Sequence, residues 1–521
     1  MPKTLVSLVP HLFRCIPLFG ALVIGGCATV DFDYPREETF APTAEETSDT
    51  YLGSRTSVRA AKHPGESGFY LQFDGIDALA GRFALAKRAE KTIDAQYYLI
   101  TNDKVGLLFI GALLQAADRG VRVRLLLDDI QTQGYDAGMA ALDSHPNFEV
   151  RIFNPWASRS ARFMDAFSFS RINRRMHNKS FTIDNKVTVI GGRNIADEYF
   201  GARQDINFGD VDVLSIGPVV QDVSNMFDLY WNSDKAAPVP AFAKMPDDPV
   251  AALEALRKKV RDVLADVADT QYGEAVKADY DSYIYGKARQ LTWAPYKLAY
   301  DSPDKADKKL AEDAKKITTT LAGVVEKANK ELVVVSPYFV PRKSGLAYFQ
   351  GLIDRGLDVI VITNSLAANN HGIVHSGYMG SRKKLLKMGV RLFETKVTAT
   401  VTGVERGGAG ASLATLHTKA FMVDREYVFV GSFNWDPRSV AINTELGVII
   451  DSPEMGDSLG KQIDSALLNR TYEVVLNEDG NLRWVDNAGD EPIILTKEPD
   501  ASWWRRTKAQ MGRILPVRGQ L

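Results

Sequence analysis

Two histidine–lysine pairs in this chain share one spacing. His177, Lys179 and Asp184 form a first H-x-K-x-x-x-x-D motif, and His417, Lys419 and Asp424 form a second. The flanking residues alternate as in β-strands, and residues i and i+2 of a strand point to one face. Each histidine therefore projects with its lysine into a common pocket. An imidazole can attack phosphorus and carry it covalently, or pass a proton to and from an alcohol. A lysine beside it offsets charge on nonbridging phosphoryl oxygens. Two such pairs make a phosphodiester site in which one histidine forms a phosphohistidine. The other protonates the leaving alcohol and then deprotonates the incoming one. The lysines supply the positive charge a metal would bring, so neither metal nor cofactor is expected. Asp184 and Asp424 complete the candidate catalytic set, with the expectation that they sit off the pocket and hold the strand–turn in place.

A second strand and a small turn follow each motif: Gly191-Gly192-Arg193-Asn194 and Gly431-Ser432-Phe433-Asn434. Small residues let a backbone approach a ligand closely. Asn194, Asn434 and Ser432 are candidate phosphate-binding or supporting groups. Further on, Asp210-Val211-Asp212 matches Asn443-Thr444-Glu445. Asp212 and Glu445 take corresponding places and are candidates to bond an imidazole nitrogen, which fixes the tautomer and raises the basicity of the other nitrogen. Asp128, Asp129 and Asn364 end matching strands and are expected to border the cleft, since ligands favour the carboxyl ends of strands in α/β sheets. His371 and His375 follow one such strand end and read either as ordinary histidines of a helix start or as a lip against head groups.

The elements that must position these groups repeat along the chain. TIDAQYYL (92–99) leads into a helix ending Asp118-Arg119-Gly120 and a strand VRVRLLL (121–127). ELVVVSPYF (331–339) leads into a helix ending Asp354-Arg355-Gly356 and a strand at 359–362. The two motifs keep nearly the same offset. The expected fold is α/β, with two halves at 66–232 and 326–475, each a mixed sheet flanked by helices. They pack about a pseudo-twofold axis with the site at the seam. Residues 233–325 read as a helical and loop connector, and 476–521 as a C-terminal extension.

The 521 residues are 45% hydrophobic and 25% charged, the balance of a folded body, and the net charge of -2 offers no global field to gather nucleic acid. Both cysteines, Cys15 and Cys27, lie near the amino terminus, so the body has no disulfide, thiolate metal site or cysteine nucleophile. Ile16–Ile24 has the length of a secretory apolar region. Ile24-Gly25-Gly26-Cys27 resembles a bacterial lipobox, with residues 1–26 as signal peptide, Cys27 as the lipidated residue and 27–65 as a polar tether. An uncleaved signal anchor is the alternative. The lipobox reading places the protein on a bacterial membrane, facing the periplasm.

On these motifs the sequence resembles the phospholipase D superfamily, and within it the bacterial cardiolipin synthases of the C type. The carrying segments include NRRMHNKSFTID (173–184), VIGGRNIADEYFGA (189–202), TNSLAANN (363–370), GSFNWDPRS (431–439) and NTELG (443–447). The resemblance covers nearly everything from residue 66. It implies phosphatidyl transfer: a phosphatidyl group from phosphatidylethanolamine or phosphatidylglycerol, held on histidine, passes to a phosphatidylglycerol hydroxyl and gives cardiolipin. It also implies His177 as nucleophile and His417 as general acid. The expected partners are phospholipids and a membrane surface, with no nucleic acid, and two motifs in one chain favour an active monomer.

After Asp500 the tail carries Trp503, Trp504, Arg505, Arg506, Lys508, Arg513 and Arg518 and no acid, which suits an interface of anionic lipids. A packed terminal helix is the alternative. Arg382, Lys383, Lys384 and Lys387 share one helix that reads as a solvated or lipid-facing surface. Three other functions compete: a phospholipase D passing the group to water, a nuclease, and a silent lipid-binding protein. All four motif histidines and lysines are present, against the last.

Overall fold

The computed structural model describes residues 29–512 apart from 204, 205, 280, 282, 284–289, 370, 371 and 398–412. Cys27, His371, Arg513 and Arg518 lie outside the described residues.

Two mixed sheets dominate the chain. The first runs, edge to edge, Thr292–Ala294, Ser67–Gln72, Asp212–Ile216, Val187–Gly191, Ser180–Ile183, Thr92–Tyr97, Arg122–Asp128, Phe148–Phe153 and Ala236–Pro238. The second runs Tyr296–Tyr300, Leu446–Asp451, Tyr427–Gly431, Ala420–Val423, Glu331–Val335, Asp358–Asn364, Arg391–Thr395, Thr471–Leu476, Leu482–Asp486 and Ile493–Leu495. From Asp212–Ile216 and from Leu446–Asp451 onward the orders correspond strand for strand, so the halves share one topology.

Burial explains the sequence pattern. Three central strands of each sheet are parallel and covered on both faces, which demands apolar runs rather than alternation. Gly120 and Gly356 end the preceding helices at φ of 94° and 85°, a left-handed conformation that only glycine adopts without strain. Inner faces of both sheets share one core with helices Pro218–Trp231 and Pro453–Arg470. Separate outer cores lie under the helices that cover each half.

Three segments differ from expectation. Residues 29–60 are packed rather than a free tether: the Trp231 indole donates to Thr39 Oγ1 at 2.9 Å, Arg151 donates to Glu37 O at 2.6 Å, and Tyr51–Ala60 is a helix capped by Thr50. The connector supplies an edge strand to each sheet, Thr292–Ala294 and Tyr296–Tyr300, with Pro295 between them. The C-terminal extension adds two strands to the second sheet. Edge strands with alternating mixed composition are easily read as loops, because only pairing reveals them.

The halves are stitched at the seam. Leu413–Leu416 pairs in parallel with Ile206–Gly209, and Met176 bridges Thr444.

Candidate active site

Each motif begins at one end of a strand and finishes at the other. Ser180–Ile183 pairs antiparallel with Thr92–Tyr97, with Ser180 opposite Gln96, so His177 lies beyond the carboxyl end of that strand. Ala420 opposite Val335 places His417 the same way. Asp184 and Asp424 sit at the far end in tight turns, at φ of 50° and 53°. The Asp184 carboxylate accepts the amides of Glu90, Lys91 and Thr92, and that of Asp424 accepts those of Asn329, Lys330 and Glu331, all at 2.8–3.1 Å. Both aspartates lie away from the pocket and tie the turn to the start of the neighbouring strand.

The histidines meet across the seam. The His177 amide donates to Thr444 O at 2.9 Å and the His417 amide to Gly209 O at 2.7 Å, each reaching into the opposite half. The carboxylates cross in the same manner. His177 Nδ1 lies 2.9 Å from Glu445 Oε2, and His417 Nδ1 lies 2.6 Å from Asp210 Oδ2. With Nδ1 held by a carboxylate, Nε2 is the nitrogen of each ring left for chemistry. Lys179 and Lys419 each donate to the carbonyl of their own histidine at 2.5 Å. Lys419 Nζ is also 2.8 Å from His417 Nδ1 and 3.6 Å from Asp210. One Nδ1 hydrogen serves one partner, and the carboxylate is nearer and of the right charge.

This cluster is buried, and burial sets its electrostatics. Burial depresses Lys179 to about 7, with Lys419 adding to the effect and Glu445 opposing it. Burial lowers Lys419 as well. His417 is pushed down to about 3 by burial and by Lys419; His177 is lowered by burial, then by Lys179. Burial would raise Asp210 and Glu445, but the lysine and histidine beside each overcome it and hold both carboxylates charged. Two buried lysines thus stand against two charged carboxylates, with both imidazoles disfavoured as cations, in a dry pocket where each remaining charge acts strongly on an anion.

Asp212 is not the counterpart of Glu445. Asp212 stands opposite Gly191, whereas the residue opposite Gly431 is Gly447, so the strand register makes Asp210 the counterpart. Asp212 bonds Arg82 at 2.8 Å and lies 3.4 Å from Arg193, both fully buried. Matching the last acid of each triplet misleads by two residues, and only pairing with the turn glycine exposes the shift.

The remaining candidates are placed as follows. Ser432 Oγ donates to Glu445, as does Ser439 Oγ at 2.7 Å to the other carboxylate oxygen, so Ser432 supports the clamp rather than facing phosphate. Asn194 Nδ2 donates to Tyr199 OH at 2.8 Å. The Oδ1 atoms of Asn194 and Asn434 are buried without a partner among the described residues.

Asp128 and Asn364 act behind the site, not in its wall. Asp128 accepts the Met176 amide at 2.7 Å, and Asn364 brackets Leu416 through its amide at 3.1 Å and its carbonyl at 2.8 Å. Each fixes the residue before a histidine. Asp129 is buried against Arg159, Arg162 and the Trp156 amide. His375 is no lip: it is buried with Nε2 2.8 Å from Arg382, whose guanidinium also meets Glu498 and Glu394.

Sequence reasoning passed over several groups. Tyr98 meets His177 edge-on at 4.9 Å, and Phe208 stacks on His417 at 5.0 Å. Asp301, from the connector, accepts the Glu445 amide at 2.9 Å and pairs with buried Lys305 at 2.8 Å. No spacing rule points to these, because they converge from different elements.

The chain is similar to several known proteins. The family model described as cardiolipin synthase, phospholipase D-like domain, matches twice, over residues 83–231 and 321–467. The chain is 39% identical to cardiolipin synthase C of Escherichia coli K12, across 89% of this chain and 98% of that one. It is 24% identical to cardiolipin synthase A of Pseudomonas syringae, across 86% and 78%. The crystal structure of phosphatidylserine synthase from Haemophilus influenzae shares the fold, with a TM-score of 0.54 over 81% of this chain at 12% identity. With each domain match spanning one of the two motif strands, the chain belongs to the cardiolipin synthase family of the phospholipase D superfamily, phospholipid-acting phosphatidyltransferases built from two phospholipase D-like halves.

Proposed function

We propose that this protein makes cardiolipin by passing a phosphatidyl group between phospholipids through a phosphohistidine. The observation that carries this reading is the crossed pair of imidazoles, each with Nδ1 held by a charged carboxylate of the other half and each beside a lysine. His177 Nε2 attacks phosphorus of the donor, phosphatidylethanolamine or phosphatidylglycerol. The P–O bond to the head-group alcohol breaks, and His417 Nε2 gives that oxygen a proton. A phosphatidylglycerol hydroxyl then loses its proton to His417, and its oxygen attacks phosphorus as the P–N bond breaks. Lys179 and Lys419 offset charge on the nonbridging oxygens. In the empty site His417 is neutral; the bound phosphodiester anion supplies the charge that raises its proton affinity. Cys27 is proposed as the lipidated residue that keeps the enzyme at the periplasmic face of the membrane, with the monomer as the active unit.

The test is a trapping experiment. Reconstituted protein receives phosphatidylglycerol labelled in the phosphatidyl moiety, with or without phosphatidylethanolamine, and products are read by mass spectrometry. Cardiolipin with glycerol or ethanolamine released supports transfer and names the donor; phosphatidic acid without cardiolipin makes water the acceptor. With a nitrophenyl-ester donor, whose leaving group needs no acid, His417→Asn accumulates label on His177. Label on His417 in His177→Asn, and none in the converse, reverses the order of the two histidines.

A further inference from the structure

Each half carries an exposed apolar tip on segments that leave the carboxyl ends of its central strands, the edge on which the histidines lie. In the first half the tip belongs to residues 154–176, which link Phe148–Phe153 to the motif strand. Phe163 there is 81% exposed, and Met164 and Phe169 are exposed beside it. In the second half, helix Gly372–Met379 follows Asp358–Asn364, and the C-terminal helix Trp503–Gly512 packs on it. Trp503 and Trp504 are 62% and 67% exposed, with Ile373 on the underlying helix also exposed.

Neither tip is a frayed end. The first is held from beneath by Asp129, fully buried, which pairs with Arg159 and Arg162, while Asn154 Nδ2 grips the carbonyls of Arg171 and Arg174 at 2.9 and 2.7 Å. The second is held by buried Arg382, which joins Glu498 just ahead of the terminal helix to His375 and Glu394. Arg505 also donates to Asn369 O, and Gly512 lies against Ser376. Exposing large aromatic side chains on supports this rigid has no folding rationale, since isolated exposed apolar residues are ordinary but clamped clusters mark an interaction surface.

We propose that the two tips are seats that sink into an anionic phospholipid monolayer and hold the mouth of the site against it. Charge favours lipid over a protein partner. Helix Trp503–Gly512 contains Arg505, Arg506 and Lys508 and no acid, and exposed Lys383, Lys384 and Lys387 lie on the neighbouring helix. Paired tryptophans with basic neighbours suit the level of the head groups, where one end of the ring is apolar and the other wet. Among the described residues no helix is long and apolar enough to cross a membrane, so these seats work by partial insertion. The proposal rests on the phospholipid reading of the site. It adds an orientation: a lipid head group enters between the halves while its acyl chains stay in the monolayer.

The test uses the reconstituted full chain and vesicles of phosphatidylglycerol with phosphatidylethanolamine. Bromine on the acyl chains of the phosphatidylglycerol quenches only tryptophans that reach it. Wild-type emission falls, and Trp503→Ser/Trp504→Ser removes that quenchable share. On the same background, Phe163→Trp restores a quenchable emission from the first seat. Phe163→Ser/Met164→Ser lowers turnover on vesicles about ten-fold and leaves turnover of monomeric dibutyryl-phosphatidylglycerol within two-fold. Unchanged quenching in the tryptophan variant, an unquenched Phe163→Trp, or equal losses on both substrates overturns the proposal. Quenching requires no turnover, so a protein that inserts but transfers nothing refutes the phosphatidyl-transfer reading and leaves the seats standing.

Discussion

Glu445 of the second half holds Nδ1 of His177 of the first, 2.9 Å away, and Asp210 returns the relation to His417 at 2.6 Å. The site is therefore not two half-sites side by side: each imidazole takes its orientation from the other half of the chain.

The corrected carboxylate gives the sharpest mutational contrast. Asp210→Asn keeps the shape but no longer fixes the His417 tautomer, and kcat should fall about 10²–10⁴-fold with melting temperature little changed. Asp212→Asn strips charge from the buried contact with Arg82 and Arg193 and should instead destabilise the fold, by about 3 kcal/mol. Kinetics and thermal unfolding on both variants separate the two. A large kcat loss in Asp212→Asn with normal stability would restore Asp212 as the clamp.

Lys179 sets an alkaline limit. Burial holds its proton affinity near 7, so it is charged below that pH and neutral above it. Because kcat/KM reports the free enzyme, it should drop about ten-fold per unit above pH 7. Lys179→Arg stays charged, so it should be slower but lack that limb up to pH 9. The same limb in Lys179→Arg would assign the titration elsewhere.

Glu498 links acid stability to the C-terminal helix. Burial would raise its carboxyl, but His375 and Arg382 overcome this and hold it at about 2, below the ordinary carboxylate range. The folded group binds its proton more weakly than the unfolded one. Its stabilisation is thus present above about pH 4.5 and is lost as pH falls toward 2. Between pH 6 and pH 3 the wild type should lose about 2 kcal/mol that Glu498→Gln does not. Denaturant unfolding at both pH values measures the difference, and equal pH sensitivity in both proteins would remove Glu498 from the linkage.

Much of the architecture was legible because it repeats. The motifs announced two strands, although these begin at Ser180 and Ala420 and the His-x-Lys residues lie just ahead of them rather than on one strand face, and the paired Asp-Arg-Gly ends announced matching helix–strand junctions. What escaped was set by pairing rather than by local pattern. Register moved the histidine partner from Asp212 to Asp210. Residues 29–60 looked like a tether because their bonds to the body, such as those of Glu37 and Thr39, leave no local pattern. His375, polar and near a strand end, resembled a pocket lip, yet its burial depends on Arg382 and Glu498, over a hundred residues downstream in the second case. Phe163 gave no periodic signal at all.

The crossed clamps also bear on ancestry. A self-complementary pair of identical halves would obey strict symmetry, and any change in one clamp would appear in both. In a fused chain that obligation lapses. Aspartate can serve His417 while glutamate serves His177, and the carboxyl Asp128 can stand where its counterpart is the amide Asn364. A single chain thus lets the two copies of one imidazole take different partners, where a pair of identical halves would have to give both the same one.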